Sequence, residues 1–77
     1  MKQVTIYSTP TCHFCHMAKD FFKENNIQYT EYNVASDMEK RTEMIEKSGQ
    51  MGVPVIIIDG EITVGFNEGQ IRQTLGI

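Results

Sequence analysis

The sequence predicts an α/β fold in which helices flank a four-stranded mixed sheet, with the element order βαβαββα. Three observations support this prediction. Apolar residues recur with helical spacing from Phe14 to Phe22. An almost wholly apolar run at 53–58 is typical of a strand buried on both faces. Asp59-Gly60 directly after it is a strong hairpin signal. A chain of 77 residues suffices for one domain, so we expect a single domain over 1–77.

The first half of the chain predicts a strand, a helix and a second strand. Apolar residues at 4–7 favour a strand that ends at the Ser-Thr-Pro-Thr turn cluster of 8–11. The helix that follows has Thr11 as its expected N-cap and ends at Asn25-Asn26. Residues 27–34 favour the second strand. Because a helix connects the two strands, we expect them to be parallel.

A capping-box pattern marks the start of the second helix. The Ser36 hydroxyl precedes Glu39 by three residues, which is the spacing at which each side chain satisfies an amide at a helix start. The pattern predicts a helix that runs to about Lys47. Gly49 then supplies the left-handed residue that commonly ends a helix.

The last third of the chain predicts a hairpin and a short helix. Residues 61–64 should pair antiparallel with the apolar strand, because only Asp-Gly separates them. Asn67 is the expected N-cap of the final helix. Ile71 and Leu75 lie four residues apart and should form its buried face.

The stretch Cys12-His13-Phe14-Cys15-His16 holds both cysteines of the chain. Three chemistries use this spacing: a redox-active dithiol, part of a zinc site, or haem attachment through C-x-x-C-H. Haem attachment requires export and room for a porphyrin, which a chain of this length hardly offers. Zinc requires four ligands, and no second C-x-x-C pair is present to supply them. The dithiol is therefore the favoured interpretation, with no metal expected.

Charge and composition restrict the partners. The net charge is −3, and no run of Lys or Arg is present to bind nucleic acid or an anionic membrane. The first residues lack the apolar segment of a secretion signal, so we expect a cytoplasmic protein. A reducing cytosol seldom maintains structural disulfides, which favours an active role for the cysteines. We expect a monomer.

The dithiol between a first strand and a helix, Val53-Pro54 at the start of a strand, and Gly65-Phe66 before the last helix together resemble the glutaredoxin family. The resemblance covers essentially the whole chain, and it is greatest to the short glutaredoxin-like redoxins, a group that includes electron donors to ribonucleotide reductase. It implies a thioredoxin-like fold and a thiol-disulfide oxidoreductase without a bound cofactor.

The two cysteines should have different roles. Cys12 is placed at a helix N-terminus, where the helix dipole favours a thiolate, so we expect it to be the attacking thiol. Cys15 lies one turn further along and should be the less exposed, resolving thiol. His13 is either an exposed polar residue that tunes the site or a cation that supports the thiolate. Phe14 is either a rim that contacts substrate or a residue that packs on the helix.

The resemblance also implies a surface that binds substrate. In the family, the proline that matches Pro54 follows a cis peptide bond beside the dithiol, and the backbone of Val53 would pair with an extended peptide or with glutathione. On the sequence alone, a trans proline at a strand start is the alternative. Gly65, Phe66 and Asn67 would complete this surface, with the helix N-terminus at Asn67 available for a carboxylate.

Three departures from the family leave the electron source open. Many glutathione-using members have Lys, Thr and Cys-Asp where this chain has Ser8, Gly52 and Phe66-Asn67. The electrons could therefore come from glutathione or from a thioredoxin reductase with NADPH. Protein disulfides are the expected substrates, and the resemblance adds ribonucleotide reductase to the partners to be tested. The alternative function is a metal-binding or interaction module of the same fold with an idle dithiol.

Overall fold

The computed structural model describes residues 2–77, and its element order is the predicted βαβαββα. The strands are β1 (Val4–Ser8), β2 (Thr30–Asn33), β3 (Val55–Ile58) and β4 (Glu61–Val64), and the helices are α1 (His13–Glu24), α2 (Met38–Ser48) and α3 (Glu68–Leu75). The fold is thioredoxin-like, as the sequence predicted.

The four strands form one mixed sheet in the order β2-β1-β3-β4. β1 and β2 are parallel, whereas β3 runs antiparallel to both β1 and β4. Tyr7 is paired with Val55, and Val55 with Val64. The end of β1, the start of β3 and the end of β4 therefore lie side by side at the same end of the sheet. Cys12, Val53-Pro54 and Gly65 lie in the loops at this end of the sheet, and Cys15 lies in the first turn of α1.

Helices cover both faces of the sheet, and a separate apolar cluster lies on each face. On one face, β1 and β3 pack against α1 and α3 through Val4, Ile6, Ala18, Phe21, Phe22, Ile56, Ile58 and Ile71. On the other face, Tyr7, Val34, Met44 of α2 and Val55 form the second cluster. Alternate residues of β1 thus point to opposite faces, which is the strand periodicity that the sequence showed.

Two predicted helix starts are wrong by one residue. Cys12, not Thr11, is the N-cap of α1, and Asp37, not Ser36, is the N-cap of α2. The Asp37 carboxylate accepts a hydrogen bond from the Lys40 amide at 3.1 Å, which is the same type of capping bond one residue later than expected for Ser36 and Glu39. A carboxylate at this position also interacts favourably with the helix dipole, so Asp outcompetes Ser here.

Other local predictions are confirmed. Gly49 ends α2 in the left-handed conformation with φ 73°, and Asn67 caps α3. Asp59 and Gly60 both have positive φ, as a two-residue hairpin of this type requires.

Two strands are shorter than predicted. The apolar run continues further than the strand it forms, because β3 begins only at Val55, after the proline. β2 likewise covers only the last part of the predicted 27–34 segment.

Candidate functional site

Cys12 begins α1 and caps it with its own side chain. Its amide donates to the Thr9 carbonyl at 3.3 Å, so the chain turns tightly before the helix starts. Its Sγ accepts a hydrogen bond from the Cys15 amide at 3.2 Å. This bond places the sulfur at the positive end of the helix dipole. Cys12 is also partly exposed to solvent, and both features favour a nucleophilic sulfur.

Cys15 lies inside the protein. It is 0% exposed, whereas Phe14 and Met17 of the same helix are 56% and 40% exposed. Burial, followed by the hydrogen bond to Cys12, raises the pKa of the Cys15 thiol to about 12, while a Thr9 backbone hydrogen bond and the charge of Lys19 act in the opposite direction. Both cysteines are free thiols. The dithiol thus consists of one accessible sulfur and one protonated, inaccessible sulfur.

A polar network that the sequence analysis did not single out lies near Cys15. The buried Ser8 hydroxyl donates to Glu31 Oε2 at 2.7 Å, and Lys19 Nζ donates to the same oxygen at 2.8 Å. These two bonds hold the pKa of the Glu31 carboxyl below its usual value. Lys19 could have been noticed four residues after Cys15, but Glu31 joins the network only because β2 lies beside β1.

The rings of the two histidines contact groups other than the thiols. His13 is exposed, and its ring contacts the Phe14 ring edge-on, with 5.6 Å between the ring centroids. Phe14 is 56% exposed, which fits the expected rim and not a packed position. His16 Nε2 lies 2.9 Å from the Pro10 carbonyl oxygen and so ties the loop before Cys12 to the first turn of α1.

The residues expected to bind substrate lie at the same end of the sheet as the dithiol. The Val53–Pro54 peptide bond is cis, as the resemblance implied. Pro54 is buried and Val53 is half-buried. The Gly65 amide donates to the Pro54 carbonyl at 2.8 Å, and Gly65 has φ 82°. Residues 53–54 and Gly65 therefore form one continuous surface, the substrate wall.

The start of α3 is already partly satisfied by its own cap. The Asn67 side chain accepts a hydrogen bond from the Gln70 amide at 3.2 Å. Phe66 packs on α1, with its ring centroid 5.9 Å from that of Phe21. Glu68 is exposed in the first turn of α3 and forms an ion pair with Arg72.

In the described part of the chain, no three His, Cys, Asp or Glu side chains are grouped so that they could hold a metal ion. Within residues 2–77, no helix is both long and apolar enough to cross a lipid bilayer.

An accessible helix-capping thiol, a buried second thiol and this sheet define a thioredoxin-fold dithiol protein. The glutaredoxin family model matches residues 4–63. The chain therefore belongs to the glutaredoxin family of thiol-disulfide redox proteins.

Two relatives extend this match over most of the chain. A glutaredoxin-like 8.6 kDa protein in the rubredoxin operon of Clostridium pasteurianum is 53% identical over 72 residues, covering 94% of this chain and 96% of the relative. Glutaredoxin 3 of Escherichia coli is 38% identical over 68 residues, covering 88% of this chain and 82% of that protein.

Solved structures show the same architecture. A mutant of a thioredoxin-like protein superposes with a TM-score of 0.92 at 34% identity, covering 100% of this chain and 99% of the other. The glutaredoxin-like NrdH-redoxin of Escherichia coli, described as having a thioredoxin-like activity profile, gives a TM-score of 0.81 at 25% identity, with 92% of each chain covered.

Proposed function

We propose that this protein reduces disulfides of other proteins, with Cys12 as the attacking thiol and Cys15 as the resolving thiol. The observation that supports this division is the difference in accessibility between the two sulfurs. Cys12 caps α1 at the surface, whereas Cys15 is fully buried with a raised pKa. A thiol that is buried and protonated does not attack a disulfide in solution, but it can attack one formed on its neighbour.

The proposed reaction has two exchange steps. The Cys12 thiolate attacks one sulfur of the substrate disulfide, a Cys12–substrate disulfide forms, and the other substrate sulfur leaves as a thiolate. Cys15 then loses its proton and attacks the Cys12 sulfur. A Cys12–Cys15 disulfide forms, and the second substrate thiol is released. The substrate gains two electrons and two protons, and the protein is left oxidised.

Val53 is the residue we propose to align the substrate. Among residues 2–77, no hydrogen bond of the backbone or of a side chain uses the Val53 amide or carbonyl, and the residue precedes β3 without belonging to it. These two groups can pair with an extended peptide in the manner of an added strand. His13, Phe14, Pro54 and Gly65 would surround such a peptide.

We propose thioredoxin reductase with NADPH as the electron source, in preference to glutathione. Ser8, where many glutathione-using relatives have Lys, is buried and bonded to Glu31, so it offers no cation to a glutathione carboxylate. At α3, the Asn67 side chain already accepts the hydrogen bond of the Gln70 amide, so this donor is not free for a glutathione carboxylate. The thioredoxin-like activity profile of the related NrdH-redoxin supports the same choice.

The division of roles is tested with a pair of serine variants. With Cys15→Ser, the second step is blocked, so a mixed disulfide with a purified disulfide protein should accumulate and be released by a reductant. Oxidised ribonucleotide reductase is one substrate to include. The matched Cys12→Ser variant should form almost none. Equal accumulation in both variants would refute the assignment.

The electron source is tested on the oxidised wild-type protein. Reduction by thioredoxin reductase and NADPH should be faster than reduction by glutathione. We expect the protein to be a monomer and to need no second copy for this reaction. The same experiment addresses the alternative of a metal-binding or interaction module. A working redoxin should titrate reversibly at about −200 to −270 mV, whereas an idle dithiol should be reduced by neither donor.

A further inference from the structure

A shallow groove of about 220 Å³ lies between α1 and α3, next to the proposed substrate wall. Its lining residues are Met17, Asp20, Phe21, Glu24, Phe66 and Glu68. The floor is apolar, because Phe21 and Phe66 are in contact across it and Met17 is 40% exposed at its side. The rim consists of carboxylates.

The rim carboxylates of α1 do not serve the stability of the helix. Asp20 and Glu24 are four residues apart, a spacing at which like charges on a helix repel. Glu24 is also the last residue of α1, where the helix dipole disfavours a negative charge. In the part of the chain that the structure describes, neither carboxylate forms an ion pair. Their charge therefore remains available to a cation from outside.

The protein itself shows which side chain this surface accepts. The Arg72 guanidinium lies over the Phe21 ring, 4.9 Å from its centroid, and its Nε donates to Glu68 Oε2 at 3.0 Å. Arg72 thus compensates Glu68 and leaves Asp20 and Glu24 uncompensated. An aromatic floor beside carboxylates is a favourable environment for a second Lys or Arg.

The groove is within reach of a substrate held at Cys12. Asp20 follows Cys12 by eight residues, which is about 12 Å along a helix. An extended peptide covers this distance with about four residues. Between the two points, α1 exposes Phe14 and Met17, by 56% and 40%. An apolar path therefore leads from the thiol to the groove.

We propose that this groove docks a segment of the protein substrate that has a Lys or Arg beside a bulky apolar residue, about four positions from the reacting cysteine. The inference rests on the proposed exchange function. The apolar residue would cover Met17 and Phe66, and the cation would pair with Asp20 and Glu24. The groove would thereby select basic substrate segments over acidic ones before the disulfide reacts.

The test uses short synthetic peptides whose single cysteine is a mixed disulfide with thionitrobenzoate, so that each attack releases a coloured thiolate. One peptide has Leu-Lys about four residues from the cysteine, a second has Leu-Glu, and a third has Ser-Lys. Each is made with the pair on either side of the cysteine. With the Cys15→Ser variant, the Leu-Lys peptide should react about fivefold faster than the Leu-Glu peptide at low ionic strength, and the ratio should fall with added salt. The Ser-Lys peptide should lie between them.

Two double variants of equal charge decide the outcome. Asp20→Asn with Glu24→Gln should bring the Leu-Lys to Leu-Glu rate ratio close to one. Glu39→Gln with Glu46→Gln removes the same charge from exposed positions of α2 and should leave the ratio unchanged. An equal loss in both would show general charge attraction and overturn the docking site, as would equal rates for the two peptides. If no peptide releases thionitrobenzoate, the proposed exchange function itself fails.

Discussion

The inaccessibility of Cys15 gives a quantitative prediction for thiol labelling. In a Cys12→Ser variant, Cys15 is the only thiol, and the serine keeps a hydrogen-bonding group at the cap of α1. In the wild-type protein, burial, the hydrogen bond to Cys12 and the charge of Cys12 raise the pKa of Cys15 from 9.0 to about 12, and the variant keeps the largest of these causes, burial. The full shift lowers the thiolate fraction about 1,000-fold near neutral pH, which is the upper limit for the variant. The more basic thiolate is about 15- to 30-fold more reactive, since nucleophilicity rises with pKa.

The net expectation from the pKa is that iodoacetamide labels native Cys15 more slowly than the same cysteine in concentrated urea, by up to about 30- to 60-fold. Burial of the sulfur slows the native reaction further. Labelling is followed by the mass of the intact protein. The native rate should keep rising as the pH passes 9.0 toward about 12, because the folded state holds the proton that the unfolded state releases. The labelling rate of the unfolded chain should instead be half-maximal near pH 9.0 and level off about one pH unit higher.

The matched Cys15→Ser variant, which retains only Cys12, should be labelled in its native state well before the Cys12→Ser variant. Native and unfolded rates for Cys15 that agree within about threefold would refute the reasoning, since neither the raised pKa nor the burial would then be real in solution. Faster labelling of Cys15 than of Cys12 would reverse the proposed roles of the two thiols.

Two further predictions concern stability, measured by urea unfolding. Tyr7→Phe removes the hydrogen bond from the buried Tyr7 hydroxyl to Glu43 and should cost about 1–2 kcal/mol, whereas Tyr29→Phe should change little. That bond lowers the pKa of Glu43 below its ordinary value of 4.5, so the difference in the free energy of unfolding between wild type and Tyr7→Phe should narrow as the pH falls below 4.5. A difference that stays constant would contradict this prediction. Gly49→Ala should destabilise the protein by about 1 kcal/mol, because a side chain there meets no atom within 4 Å but must adopt φ 73°. Gly69→Ala, inside α3, should instead stabilise it by up to about 1 kcal/mol, and the same sign for both variants would be inconsistent with their backbone conformations.

The sequence by itself determined the order of the elements and most of their ends. Gly49, Asp59-Gly60 and Asn67 act on the backbone within one turn of themselves, so their effect can be predicted without the rest of the protein. The C-x-x-C pair before an amphipathic helix is equally local, but it favoured a dithiol over zinc or haem only together with the chain length and the lack of a second C-x-x-C pair in the sequence.

The shift of both helix caps by one residue shows the limit of such local signals. Thr11 and Cys12, or Ser36 and Asp37, are adjacent residues that can each accept a bond from a helix amide. The choice between them depends on how the preceding loop meets the sheet. At α1 that choice brought the Cys12 sulfur into the cap, so the attacking thiol proposed here and the start of the helix are the same residue.

Only the tertiary structure decided what surrounds the dithiol. The sequence predicted only that Cys15 is less exposed than Cys12, and the packing of α1 on the sheet buries it completely while Phe14 and Met17 stay exposed. Glu31 meets Ser8 and Lys19 because β2 pairs with β1 in one register. These contacts join residues that are distant along the chain, and their geometry follows from packing the whole sheet and its helices, which no short stretch of sequence contains.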